Sequence, residues 1–148
     1  MAIAQAVCNV FKRELLKGNH DLDGGATYKI ALFTSSATLG AATANYAAQA
    51  SDNQVANGSG YTTGGATLTS PTVTMATTTS YVDFADVSWT GASFTANGAL
   101  IYQSSGDASS GDNAFVVLAF GGDFTATNGT FTIQFPTAGG GSELLRLT

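Results

Sequence analysis

Ala114-Phe-Val-Val-Leu-Ala-Phe120 decides how the chain reads. It is an unbroken apolar run with no polar alternation, which suits a central β-strand covered on both faces. The amino-terminal helix is the candidate cover for one of them. Working outward, strands read at Thr27–Thr34, Ala66–Ser70, Thr72–Ala76, Ser80–Trp89, Ala92–Gln103, Thr130–Phe135 and Leu144–Leu147. Gly91, the Ser104–Asp112 loop, Gly121-Gly122, Asn128-Gly129 and Gly139–Gly141 punctuate them. Many short strands at this spacing, with little helix between, predict a sandwich or barrel. The expected fold is a single mainly β domain over 1–148. It is an antiparallel β-sandwich or jelly-roll-like body with an N-terminal α-helix.

The helix is expected over residues 3–17. Ile3, Val7, Val10, Phe11 and Leu15 recur at spacings of three or four and form one stripe. Lys12, Arg13 and Lys17 gather toward the carboxyl end, where positive charge suits the helix dipole. Gly18 follows as a stop, and Asn19–Gly25 is turn chemistry. The period then changes to two in Thr27–Thr34, which places Tyr28, Ile30 and Leu32 on one face. Residues 36–66 form a long Ser-, Ala-, Thr-, Asn- and Gly-rich excursion in which 41–49 is a weak helical window. Asn97-Gly98 reads as a hairpin turn or a bulge, and the lack of flanking loop residues favours the bulge. One internal echo stands out, Phe94-Thr-Ala-Asn-Gly against Phe124-Thr-Ala-Thr-Asn-Gly. It reads either as equivalent strands in facing sheets or as coincidence in a low-diversity composition.

Composition excludes several classes. The 148 residues carry a net charge of −5 and only 10% charged side chains, against roughly 25% in ordinary domains. Ala, Gly, Ser and Thr make up about half of the chain. The lone cysteine, Cys8, excludes an intramolecular disulfide or a Cys-rich metal site and reads as a quiet buried thiol. Five basic residues are too few for a broad nucleic-acid surface. No run of about 20 apolar residues is present to span a membrane as a helix. The basic residues follow the first apolar stretch instead of preceding it, so no secretory signal is expected.

Candidate chemistry is sparse. His20, the single histidine, lies in a turn with no Gly-x-Ser-x-Gly elbow elsewhere to suggest a hydrolase triad. Asp21-Leu-Asp-Gly24 is a fragment of a calcium loop that lacks the later ligands. Asp83 and Asp86, three apart on a strand, point to opposite faces and make a poor glycosidase pair. The expectation is therefore no catalytic residue, no cofactor and no metal. An enzyme of the carboxylate hydrolase type ranks last. The surface itself is the signal. Small uncharged side chains lose little entropy when fixed and avoid the desolvation penalty of buried charge. Long-lived interfaces are likewise poor in charge. Residues 1–17 carry a net charge of +2 and the remainder −7, which allows two readings: a basic helix facing an acidic patch on a neighbour, or ordinary matching of the helix dipole. Candidate interface residues are Lys12, Arg13, Lys17, Tyr46, Tyr61, Trp89, Leu145 and Arg146. They represent the helix face, the excursion, one strand end and the carboxyl-terminal strand. A glycan-binding alternative would use Trp89, Tyr61 or Tyr102 to stack on sugar.

The opening Met-Ala-Ile-Ala-Gln-Ala-Val-Cys-Asn-x-Phe-Lys-x-Glu-Leu-Leu-Lys-Gly and Tyr28-Lys-Ile-Ala-Leu-Phe-Thr-Ser-Ser-Ala-Thr-Leu-Gly40 resemble small virion proteins of tailed bacteriophages. Gly60-Tyr-Thr-Thr-Gly-Gly-Ala-Thr-Leu68, Val82-Asp-Phe-Ala-Asp-Val-Ser-Trp89, Gly98-Ala-Leu-Ile-Tyr102 and Phe131-Thr-Ile-Gln-Phe-Pro-Thr-Ala138 extend the likeness over nearly the whole chain. The resemblance implies a non-enzymatic structural protein of the virion. The leading expectation is a capsid cement (decoration) protein that forms a homotrimer and binds across junctions of the phage major capsid protein. A tail or tail-fibre component is the alternative. It further implies a place on the capsid surface after synthesis in the bacterial cytoplasm, with no nucleic-acid or membrane partner.

Overall fold

The computed structural model describes residues 2–51, 53–139 and 141–148. Asp52 of the excursion and Gly140 of the Gly139–Gly141 punctuator lie outside the described residues. The elements in order are β1 (Ala6–Val7), α1 (Asn9–Leu16), β2 (Thr27–Phe33), α2 (Tyr46–Gln49), β3 (Ala66–Thr67), β4 (Thr72–Ala76), β5 (Thr79–Asp83), β6 (Val87–Ser105), β7 (Ala114–Ile133) and β8 (Leu145–Leu147). They build two antiparallel sheets, one ordered β1-β7-β6-β2-β3 and the other β4-β5-β8. Buried side chains from both sheets, Ile30 and Val117 of the first and Val82 and Leu145 of the second, belong to one core. The molecule is thus mainly β, antiparallel and sandwich-like, with one short amino-terminal helix.

The first four residues of the apolar run Ala114–Phe120 are central, as the lack of alternation predicts, whereas Leu118, Ala119 and Phe120 are half-buried. Residues 114–117 are all buried, and the Phe11 ring of α1 sits 4.3 Å from Phe115. Burial of a ring of this size contributes about 1.5–3 kcal/mol. Tyr28 and Ile30 of β2 meet the same core, paired to Gln103 and Ile101 of β6. Ala92, Ala96 and Ala99 are fully buried on β6. Their size lets layers approach closely there.

Three expectations about elements need correction. The helix begins at Asn9 and not at residue 3. Ala6 and Val7 pair with Val117 and Val116, and the Ala4 N–H donates to the Leu39 carbonyl at 2.9 Å. A ladder along the edge of β7 outweighs local helical preference here. The strand expected over 80–89 breaks at Phe84–Asp86, where the Asp86 carboxylate accepts the Phe135 N–H at 2.9 Å. Finally, Gly91, Gly121-Gly122 and Asn128-Gly129 do not end strands. They lie inside two strands of 19 and 20 residues that pair from Val87 and Ile133 to Tyr102 and Ala114. Gly91, Gly121 and Asn128 take positive φ of 61°, 80° and 49°. Such residues bend and twist a ladder where the register slips.

The largest slip lies beside Asn97-Gly98. Ala96 pairs with Phe124 but Gly98 pairs with Ala119, so the extra residues bulge from β7. The Asn97 side-chain amide closes this bulge by donating to Asp123 at 2.8 Å. Asn97-Gly98 is therefore no hairpin turn, but the bulge lies opposite it, on β7, and not at Asn97-Gly98 itself. Beyond it, β6 and β7 continue as a two-stranded ribbon. The sequence echo now has a place: Phe94, Thr95 and Ala96 pair with Ala126, Thr125 and Phe124. The two copies face one another within one ribbon and not across two sheets.

Candidate interaction surfaces

The excursion is held by tyrosines. The Tyr61 hydroxyl accepts from the Leu32 N–H at 2.9 Å and from Gln54 Nε2 at 2.7 Å. Tyr46 donates to Gln54 Oε1 at 3.1 Å, and its ring stacks on Tyr102 at 4.3 Å between centroids. Tyr102 donates to the Gly64 carbonyl at 2.8 Å. Burial pushes the Tyr61 hydroxyl up to about 12 and raises Tyr102 as well. Gly65 is forced by this arrangement. Its φ is +77°, and a Cβ there would meet the Ile30 carbonyl oxygen.

These contacts remove several expected interface residues from the surface. Tyr61, Trp89 and Leu145 are buried. Trp89 does not face outward but packs with Tyr61 and Phe131. Tyr102 is buried too, so the rings invoked for sugar stacking are occupied with the core. Tyr46 is half-buried against Tyr102. The apolar partners of these rings explain the outcome: aromatic residues at strand positions bury unless something else fills the layer.

The basic helix face divides. Arg13 lies 2.6 Å from Asp112 and 2.9 Å from the Glu14 carboxylate, and Lys17 lies 3.1 Å from the same carboxylate. Glu14 also accepts from Asn19 Nδ2 at 2.6 Å. Hydrogen bonds from Asn19, then Arg13 and Lys17, hold the Glu14 carboxyl down at about 2. At these two positions the positive charge is paired inside the chain and not left free for a neighbour. Lys12 and Arg146 differ. Lys12 donates to Asn9 Oδ1 at 3.5 Å, and Arg146 donates to the Gly141 carbonyl at 3.5 Å and helps hold the Glu143 carboxyl below its usual range. Neither has a carboxylate within 4.0 Å among the described residues.

Lys12 and Arg146 sit together on one groove. It runs between α1 and β8, and Val7, Phe11, Leu15, Leu16, Leu145 and Leu147 supply its apolar lining. Leu16 is 90% exposed and Leu147 55% exposed. The sequence held a signal for Leu16 that its stripe reading missed. Leu15 and Leu16 are adjacent, so a single helical stripe buries one and leaves the other in water. A second apolar groove lies along the outer half of β7, where Phe120, Phe124, Phe131 and Ile133 are its apolar members. Phe124 is 54% exposed.

The titratable groups are quiet. His20 is buried with Nδ1 2.9 Å from the Tyr28 hydroxyl, and burial pushes its pKa down to about 4. It is a neutral ring at physiological pH. Burial pushes the Cys8 thiol up to about 12, so it stays protonated. Asp21 accepts the Asp23 N–H at 3.0 Å, a capped turn. No cluster of three or more His, Cys, Asp or Glu side chains is placed to hold a metal ion among the described residues. No helix among them is long and apolar enough to cross a membrane. Compared with known protein families, curated proteins and solved structures, the chain matches none.

Proposed function

We propose that this chain is a non-enzymatic structural protein of a tailed-phage virion, a capsid cement protein whose copies associate and bind the major capsid protein. The observation that carries the reading is the α1–β8 groove. It joins the helix face and the carboxyl-terminal strand, two of the regions that sequence alone marks for contact. Its lining is apolar and its rim holds two cations, Lys12 and Arg146, with no carboxylate within 4.0 Å among the described residues. Such a surface fits an apolar segment flanked by carboxylates. A cement protein needs no tight single contact, because many symmetry-related copies multiply weak ones.

The test uses particles. Virions lacking the chain should release DNA at a temperature at least several degrees below that of complete virions, and adding back the purified protein should restore the difference. The Lys12→Glu, Arg146→Glu pair should fold normally and fail to rebind. Unchanged heat stability of the lacking particles would contradict the reading. Hundreds of copies per particle support cement, whereas a few copies would assign the chain to the tail.

A further inference from the structure

We infer that the outer half of β7, from Phe120 to Ile133, pairs edge to edge with the same strand of a second copy. This rests on the reading above and names a surface through which copies associate, as two-fold pairs and not as the homotrimer that the resemblance implies.

The inference starts from an unfinished ladder. One edge of β7 is paired to β6 along its length. On the other edge, β1 covers only Val116 and Val117, and Gln5 adds one side-chain bond to the Ala119 N–H at 2.9 Å. From Phe120 onward no strand occupies that edge among the described residues. At about 3.3 Å per residue the open stretch is roughly 45 Å long before bending. Soluble proteins guard such edges with lysine, proline or inward charge. Residues 120–133 contain no Lys, Arg or Pro. Their one acid, Asp123, is already engaged by Asn97. In the second part of the stretch the register slips beside Thr130, opposite Thr90 and Gly91 of β6, and again at Thr127 and Asn128, where Asn128 takes φ 49°.

The choice of occupant follows from charge and shape. A strongly acidic or basic partner finds nothing to complement on this edge. A second copy meets an almost neutral strand, so the chain's overall net charge of −5 opposes the approach only weakly. Antiparallel pairing about a two-fold axis between Thr127 and Asn128 brings Phe124 of each copy opposite Phe131 of the other. Both rings pack against the Phe120 ring and so share a face. Exposed Phe124 then gains an aromatic neighbour, a favourable cross-strand pair. A contact some 45 Å long, with these rings covered, approaches the ~1,000 Å² expected of a specific interface. The pairing is closed, because a two-fold contact uses the same surface on both copies.

The experiment uses the isolated full chain, so its outcome is separate from that of the particle test. Sedimentation velocity across a concentration series is combined with amide hydrogen exchange. The expected result is a mass of two chains at tens of micromolar, with amides of residues 122–132 at least tenfold slower to exchange than in dilute protein. Thr127→Lys, Thr130→Lys places four positive charges around the axis of a pair. Both positions are exposed, so circular dichroism should be unchanged while the double variant stays monomeric. A wild-type monomer at every concentration would overturn the inference. So would an oligomer whose β7 amides exchange as in the monomer, or a double variant that still pairs.

Discussion

The two halves of the β6–β7 pair make opposite use of similar residues. Where β6 runs from Gly98 to Gln103 and β7 from Ala114 to Val117, both edges are paired and the side chains are buried. Past the bulge of β7 opposite Asn97 and Gly98, the same two strands continue as a ribbon. There Trp89 and Phe131 are buried, Phe94 and Phe120 half-buried and Phe124 exposed, and the outer edge of β7 is open among the described residues. A continuous hydrogen-bonded ladder therefore does not imply continuous burial. The first half is closed by the chain itself. The second half buries Trp89, Ala92, Ala96 and Phe131 but leaves Phe124 and the outer edge of β7 open among the described residues.

Substitutions sharpen that contrast. The largest effect should come from Gly65→Ala, because a positive φ and a backbone carbonyl both exclude a Cβ there. Loss of about 4 kcal/mol or failure to fold is expected in chemical denaturation. Next come two phenylalanines on the one strand. Phe115→Ala in the sealed half should cost about 3–5 kcal/mol. Phe124→Ala in the open half should change the stability of the dilute protein by only about 0.5 kcal/mol. Equal losses at the two sites would erase the distinction.

Tyr61→Phe leaves the Leu32 N–H without its acceptor and should cost about 1–3 kcal/mol. Acid should act through the sealed side as well. Folded His20 takes its proton only near pH 4, whereas an unfolded imidazole takes it near 6.5. The stability that neutral His20 contributes is thus fully present above about pH 6.5 and lost as pH falls toward 4. Glu14, held down at about 2, adds a further loss below about pH 4.5, where the unfolded carboxyl protonates first. The melting temperature should fall between pH 7 and 4.5, and His20→Gln should flatten that slope. A slope unchanged by His20→Gln would assign the acid response elsewhere. The smallest effect belongs to the turn between β4 and β5. Thr77 holds φ 55°, an unfavourable value for a β-branched residue. Thr77→Gly should stabilise by about 0.5–1 kcal/mol, measured as a shift in the denaturation midpoint.

Much of the β architecture is legible in the sequence, because apolar runs such as 114–120 and alternations such as 27–34 report burial directly. Strand β4 matches its expected bounds, and the carboxyl-terminal strand is nearly so. What sequence misreads is punctuation. Glycine and Asn-Gly serve turns and bulges alike, and only the partner strand's register tells them apart. It also misreads the chain's start, where Ile3 and Val7 satisfy a helical spacing but meet Leu39 and Val116 in extended form. Among the expected contact residues, Lys12 and Arg146 prove to be exposed neighbours on one groove. Tyr61, Trp89 and Leu145 are core. Nothing local separates an aromatic ring that the core covers from one left exposed on the same face, and Phe131 and Phe124 on one strand make the point.

The claim that exposed apolar side chains are assembly surfaces is tested most directly by hydroxyl-radical footprinting with mass spectrometry. Leu16, Met75, Phe124 and Leu147, all more than half exposed, should oxidise readily in dilute protein. In intact virions Leu16, Phe124 and Leu147 should be protected at least several-fold, while Phe115 stays unmodified in both samples. Equal oxidation of those three side chains in free protein and in virions would contradict the account.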